Sequence, residues 1–242
     1  MRSRSGTAAA EGRPSVAGGI AVRVGLVAFF LILQMAILLL SAGRVGWVWA
    51  WVYLGISLVS AGTGGAITLR ASPEAVAERG RWPLGTKGWD RVIGTLWLLL
   101  LYILLPLVAG LDERSGWTRG LSSAWNLTGA LVLAAGYGLC EWALIVNTYF
   151  STAVRIQSDR GQTVCRSGPY RLVRHPGYAG YILQCLGTAL LLGSWWALVP
   201  GGLAAAVIAT RTALEDRLLQ EELPGYPDYA QEVRYRLIPG VW

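Results

Sequence analysis

Histidine is almost missing from this chain: 242 residues contain one, His175, together with only three cysteines and two methionines. One imidazole leaves no histidine cluster for a metal. Cys140, Cys165 and Cys185 show no metal-ligand spacing, and two of them lie in or beside apolar runs. Neither a zinc site nor a disulfide framework is expected, and no metal is assigned. Charge is scarce too, with 14% charged against 54% hydrophobic residues, alongside 12 Trp and 31 Gly. That balance excludes an ordinary soluble domain of this size. Lysine is nearly absent: of 21 basic residues all but Lys87 are arginine, the usage of a GC-rich bacterial genome.

What is present is apolar length. Nearly charge-free runs occupy residues 24–42, 46–69, 92–111, 123–146 and 178–210, and a spanning helix needs about 20 such residues. The last run is too long for one straight span, because its residues would form a helix of about 50 Å against a hydrocarbon core of about 30 Å. A tight helical hairpin turning near Gly193 and Ser194 is expected, with arms short enough to require bilayer thinning or shielding by neighbours. The expected fold is all-α: a polytopic membrane protein of about six hydrophobic helices, the last two a hairpin, with a cytoplasmic C-terminal helix and loops. The parts are a disordered segment 1–19, transmembrane helices 1–4 over 20–146, and a C-terminal region 147–242 that includes the hairpin 178–210.

The net charge of +7 would suit nucleic acid, but its distribution does not. Eighteen of the 21 basic residues fall in the N-terminal segment, the connections 70–91 and 147–177, and the C-terminal tail, leaving only Arg44, Arg114 and Arg119 between the other runs. With the hairpin counted as two passages, all basic segments and both termini share one side, which the positive-inside rule makes cytoplasmic. A bacterial inner membrane, membrane lipids as surroundings and no nucleic-acid partner are expected. The run at 24–42 reads as a retained signal anchor.

Within the first basic connection, Ser72, Pro73 and Glu74 signal a helix start, and this helix is expected along the membrane surface. Residues 211–223, RTALEDRLLQEEL, carry Leu214, Leu218 and Leu219 at helical spacing before Pro224 and Gly225 end the pattern, so an amphipathic helix continues out of the hairpin.

The polar chemistry concentrates in the C-terminal third. In GPYRLVRHPGYAGY, residues 168–181, glycines and prolines force an irregular loop, and Pro176 pushes His175 out of the α region. Tyr170, Arg171, Arg174, Tyr178 and Tyr181 surround it with donors and aromatic faces suited to a carboxylate, a phosphate or an adenine ring. The same residues would serve equally as interfacial anchors. Arg211 and Glu215, four apart, share a helix face, where a weak ion pair is the plain alternative. A hairpin brings its two ends together, so the His175 loop and the Arg211/Glu215 turn should form one polar pocket. Glu141, an acid inside the fourth run, is a functional candidate near the same side.

Gly168-Pro169-Tyr170, then Arg174-His175-Pro176-x-Tyr178-x-Gly180, then about 30 apolar residues, then Arg211-x-x-x-Glu215-Asp216 and a closing Gly225…Tyr229…Val233…Pro239 resemble the isoprenylcysteine carboxyl methyltransferase family of integral membrane enzymes. The resemblance covers residues 147–242. It implies an enzyme that takes a methyl group from S-adenosylmethionine for a lipophilic or lipidated acceptor, such as the carboxylate of an isoprenylated cysteine or a related lipid-like acid. Carried over position by position, Gln157, Tyr170, His175, Pro176, Gly177, Tyr178 and Glu215 would contact the cofactor, with Gln162, Thr163, Val164 and Cys165 beside it. Arg211, Glu215 and His175 would form the catalytic set, with Arg211 and Glu141 toward the acceptor. Two departures stand out: Gln162 replaces a frequent histidine, and Asp216 a common second glutamate.

Two other readings stand beside this one. Membrane sterol reductases that use NADPH carry a similar Arg-His-Pro-x-Tyr-x-Gly element, although an acid commonly follows its glycine where this chain has Tyr181. A transporter or scaffold would keep polar groups near the midplane, whereas here they gather at one end of the apolar runs.

Overall fold

A computed structural model describes residues 16–71, 73–79 and 86–242. Apart from short turns, α-helices are the only regular structure among them: α1 (Val16–Ala42), α2 (Val48–Ala71), α3 (Pro73–Arg79), α4 (Gly88–Leu99), α5 (Leu105–Ser115), α6 (Ser123–Val146), α7 (Pro176–Leu191), α8 (Leu198–Glu222) and α9 (Tyr226–Glu232). In hydrocarbon, backbone polar groups must pair within their own segment, which selects helices for such apolar stretches. Four helices are long and apolar enough to cross a membrane: Val16–Ala42, Val48–Arg70, Gly88–Ser115 and Ser123–Val146. The third runs through α4 and α5, joined by a π-helical turn at Leu100–Leu104. Pro106 explains that turn, because it lacks an N–H and its ring crowds the carbonyl four residues earlier.

The sequence expectation of six hydrophobic helices meets four here. The apolar run 178–210 is divided between α7 and α8, with residues 192–197 between them and Gly193 at φ +70°. At 1.5 Å per residue, α7 extends about 24 Å, short of a hydrocarbon core of about 30 Å. The segment after residue 210 continues the apolar run without a break, as the second half of α8. Val16–Gly19, grouped in the sequence with an unstructured segment, begin α1. The remainder of that segment, Ser72 and residues 80–85 lie outside the described residues.

Glycine decides how closely α6 and α7 approach. A Cβ on Gly129 would lie 2.1 Å from the Leu191 nitrogen, one on Gly180 2.6 Å from the Gly136 oxygen, and one on Gly187 2.6 Å from the Leu133 nitrogen. The two backbones therefore touch along a stripe of small residues, a packing mode suited to membranes. Leu38, Trp47, Leu105, Leu133 and Leu191 fill the core between the helices. Phe29, Ile32, Leu40, Val59 and Leu131 face outward.

The bundle has two polar ends. At one, the turn after α5 and the turn before α8 are fastened through buried Asp112, which accepts the Thr118 N–H at 2.7 Å, the Thr118 hydroxyl at 2.6 Å and the Ser194 hydroxyl. The Trp125 and Trp195 rings pack beside it, 5.3 Å apart. At the other end, the loop 147–175, the N-terminus of α7, the second half of α8 and α9 enclose a cavity.

Candidate active site

The cavity end is organised by two buried aspartates. Asp216 on α8 is fully buried and accepts Arg174 Nε at 2.7 Å and Nη2 at 2.9 Å, Arg236 Nε at 2.8 Å, the Gln220 amide at 2.8 Å and the Tyr226 hydroxyl at 2.9 Å. His175 Nε2 lies 3.1 Å from the same carboxylate. Burial alone would raise the Asp216 pKa; the bonds from His175, Arg174 and Arg236 outweigh it and hold the carboxyl well below the usual range. Arg174 also donates to the carbonyls of Val233 and Arg234, both at 2.8 Å, while the backbone N–H groups of Arg174 and His175 donate to Tyr235 and Arg236 carbonyls. The histidine loop is thus sewn to the C-terminal tail. Pro176 opens α7 at its first turn, and His175, at φ −128° and ψ +60°, caps it from outside the α region.

Asp90, in the first turn of α4, is the second anchor. It accepts Arg211 Nε at 2.7 Å, Arg211 Nη2 at 3.1 Å and the Val154 N–H at 2.8 Å. Arg211 donates further to the Thr152 carbonyl at 2.8 Å and lies 5.4 Å from the centre of the Tyr178 ring. Tyr178 in turn donates its hydroxyl to Glu215 and stacks on His175 at 5.8 Å.

Between these anchors lies an open cavity with about 790 Å³ of empty space, open solvent at its mouth included. His175, Gly177, Tyr178 and Glu215 line it, together with Gln157, Gln162, Thr163, Val164, Cys165 and Tyr170. Phe150, Leu218, Leu219 and Leu223 supply apolar wall. Gly177 has to be glycine for this wall to close, since a Cβ would fall 2.2 Å from the Phe150 ring.

Two of these side chains are already engaged in shaping the loop. The Gln157 amide nitrogen donates to the Tyr149 carbonyl at 2.6 Å and its oxygen accepts Arg160 at 2.5 Å, while Gln162 Oε1 accepts the Gln157 backbone N–H at 2.7 Å. Three of the residues carried over as cofactor or acceptor contacts stand outside the lining. Pro176 is buried behind it, and Arg211 is spent on Asp90 and Thr152. Glu141 turns to α2, where it accepts the Ser60 hydroxyl and fills the notch left by Gly64. The sequence reading missed Asp90 and Asp216 as anchors. The signal for Asp216 was an acid beside Glu215 but on another helix face, four residues before Gln220; for Asp90 it was an acid at the mouth of an apolar run.

The family model described as the isoprenylcysteine carboxyl methyltransferase (ICMT) family matches residues 128–221, which run from α6 through the cavity loop to the end of α8. Over these residues the chain is similar to the ICMT family. This is a family of membrane methyltransferases, in keeping with the four apolar helices. The chain is also 24% identical over 173 residues to YpbQ, an uncharacterized protein of Bacillus subtilis (strain 168), an alignment that covers 71% of this chain and 96% of that protein. The ICMT-like match stops short of α3, Asp90 and the tail residues that close over His175.

Proposed function

We propose that the protein transfers a methyl group from S-adenosylmethionine to the anionic head of a lipophilic acid at the membrane surface, using the cavity between Asp90 and Asp216. The observation that carries this reading is the cavity lining itself: Glu215, Tyr178 and His175 line one cavity together with Gln157 and residues 162–165. The donor set fits the group. Glu215 offers a carboxylate for hydroxyl or ammonium donors, the His175 and Tyr178 rings offer flat faces for a base, and the leucines and Phe150 exclude water from the reacting centre.

S-adenosylmethionine, held by Glu215 and the His175 and Tyr178 rings, would supply an electrophilic sulfonium methyl for an acceptor carboxylate, with its sulfur left as a neutral thioether. An acceptor already ionised needs no general base, so the chain's own task is positioning and electrostatics. Arg211 fixes Tyr178 by lying against its ring, and Tyr178 fixes Glu215 by donating to it. His175 is oriented by Asp216 and Tyr226 and has its Nε2 committed to them, so it contributes ring surface.

In this reading α7 and α8 form a hairpin that adds to the four long helices, residues 147–242 are the catalytic region, and the basic segments place the cavity and both termini on the cytoplasmic face of a bacterial inner membrane. The test is a thermal-shift comparison on the purified protein in lipid. S-adenosylhomocysteine should stabilise it and NADPH should not, Glu215→Gln should weaken the nucleoside effect about tenfold or more, and labelled methyl should pass to an acid in membrane extract. Stabilisation by NADPH alone would turn the assignment to a reductase.

A further inference from the structure

Two of the deeply buried arginines, Arg174 and Arg211, are each matched by an aspartate. Arg79, the last residue of α3, is 9% exposed and has no such partner: its Nε and Nη2 both donate to the Phe150 carbonyl at 3.3 Å, and its guanidinium lies 5.1 Å from the Phe150 ring centre. Among the described residues no carboxylate forms an ion pair with it. Burial pushes its pKa down to about 10; Tyr181 opposes the shift, and Arg23, a second cation on α1, adds to it. Arg23 is itself half-buried and has no hydrogen-bonded partner among the described residues. A desolvated cation beside a like charge is unfavourable unless an anion joins it.

The position of Arg79 shows which anion it would serve. Phe150 and Tyr170, its neighbours, are both part of the cavity wall. Its other surroundings are Cys140 on α6 and Tyr181 on α7, with Gly19 of α1 packed so closely on α3 that a Cβ would lie 2.7 Å from the Ala77 carbonyl oxygen. Arg79 therefore lies directly behind the cavity wall at Phe150, between that wall and the apolar helices.

We propose that Arg79, assisted by Arg23, receives the anionic head of the lipophilic acceptor and so selects acids over neutral lipids. The inference rests on the methyltransferase reading of the cavity and assigns acceptor recognition to residues outside the ICMT-like match. A planar guanidinium suits a carboxylate in particular. A phospholipid phosphate shares this anion chemistry, and the experiment separates the two.

The full chain in zwitterionic nanodiscs, without any methyl donor, is titrated with an N-acylated S-farnesyl cysteine bearing a free carboxylate, and with its primary amide. Wild type should bind the acid about tenfold or more tightly than the amide, and Arg79→Gln should lose that preference with amide binding unchanged. Arg79→Lys should keep part of it, and Arg23→Gln, on a half-buried position, should weaken it by a smaller factor while the chain stays folded. S-adenosylhomocysteine should bind all variants as it binds wild type. Equal binding of acid and amide by wild type, or wild-type acid affinity in Arg79→Gln and Arg23→Gln, overturns the proposal. So does an Arg79→Gln defect seen only as lost stability in discs with anionic phospholipid, which would assign the site to a headgroup. Failure of wild type to methylate an acid that it binds would defeat the methyltransferase reading alone.

Discussion

At the cavity end of the bundle, Asp90 and Asp216 are gripped by arginines from other elements, whereas at the opposite end Asp112 meets hydroxyl and backbone donors. All three carboxylates are buried. The arginine pairs bridge long sequence distances, 121 residues for Asp90 and Arg211, and their long side chains hold elements apart with a space between them. The short Ser and Thr donors around Asp112 instead draw two turns together and close that end. One end is thus a frame around an opening, the other a clasp.

The contrast can be broken by removing the acids in turn. Asp216→Ala should cost the most, about 3–5 kcal/mol, because it strands Arg174 without a counter-charge; its midpoint of thermal unfolding should fall furthest, and a loss no larger than that of Asp112→Ala would erase the difference. Acid should act through the same residue. Since the Asp216 pKa is depressed in the folded protein, its stabilisation is complete above the ordinary carboxylate pKa of about 3.9 and is lost as pH falls below it. The stability advantage of wild type over Asp216→Asn should therefore shrink between pH 5 and pH 3, values set around that carboxylate range, and a constant advantage would contradict the frame. Asp112→Ala should cost less, about 1–3 kcal/mol, as neutral donors lose a partner, and should leave S-adenosylhomocysteine binding as in wild type. Arg217→Ala, which removes an exposed pair with Glu221, should leave the unfolding midpoint where it is.

Much of this architecture is readable along the chain. Runs of uncharged residues mark the four long helices because hydrocarbon penalises every charge and every unpaired backbone group, and that signal is local. The mixed polar and glycine-rich character of residues 168–178 is equally local. Other features have no local signature. Gly129 and Gly136 read as ordinary glycines of an apolar helix until Gly180 and Gly187 are seen against them. Arg211 and Glu215 read as one pair, yet in the fold the arginine belongs to Asp90 and the glutamate to Tyr178. Arg79 reads as one more basic residue of a surface connection and becomes distinctive only when its burial beside Phe150 is known.

The sequence by itself determined that the chain is helical, apolar over five long stretches and polar where those stretches end, because helix formation and partition into lipid depend on composition over 20 or so neighbouring residues. Which acid meets which arginine, and which arginine is left for something else to neutralise, was decided only by the tertiary structure. Charge pairing acts over a few ångströms in space whatever the separation along the chain, and no pattern of neighbours encodes it.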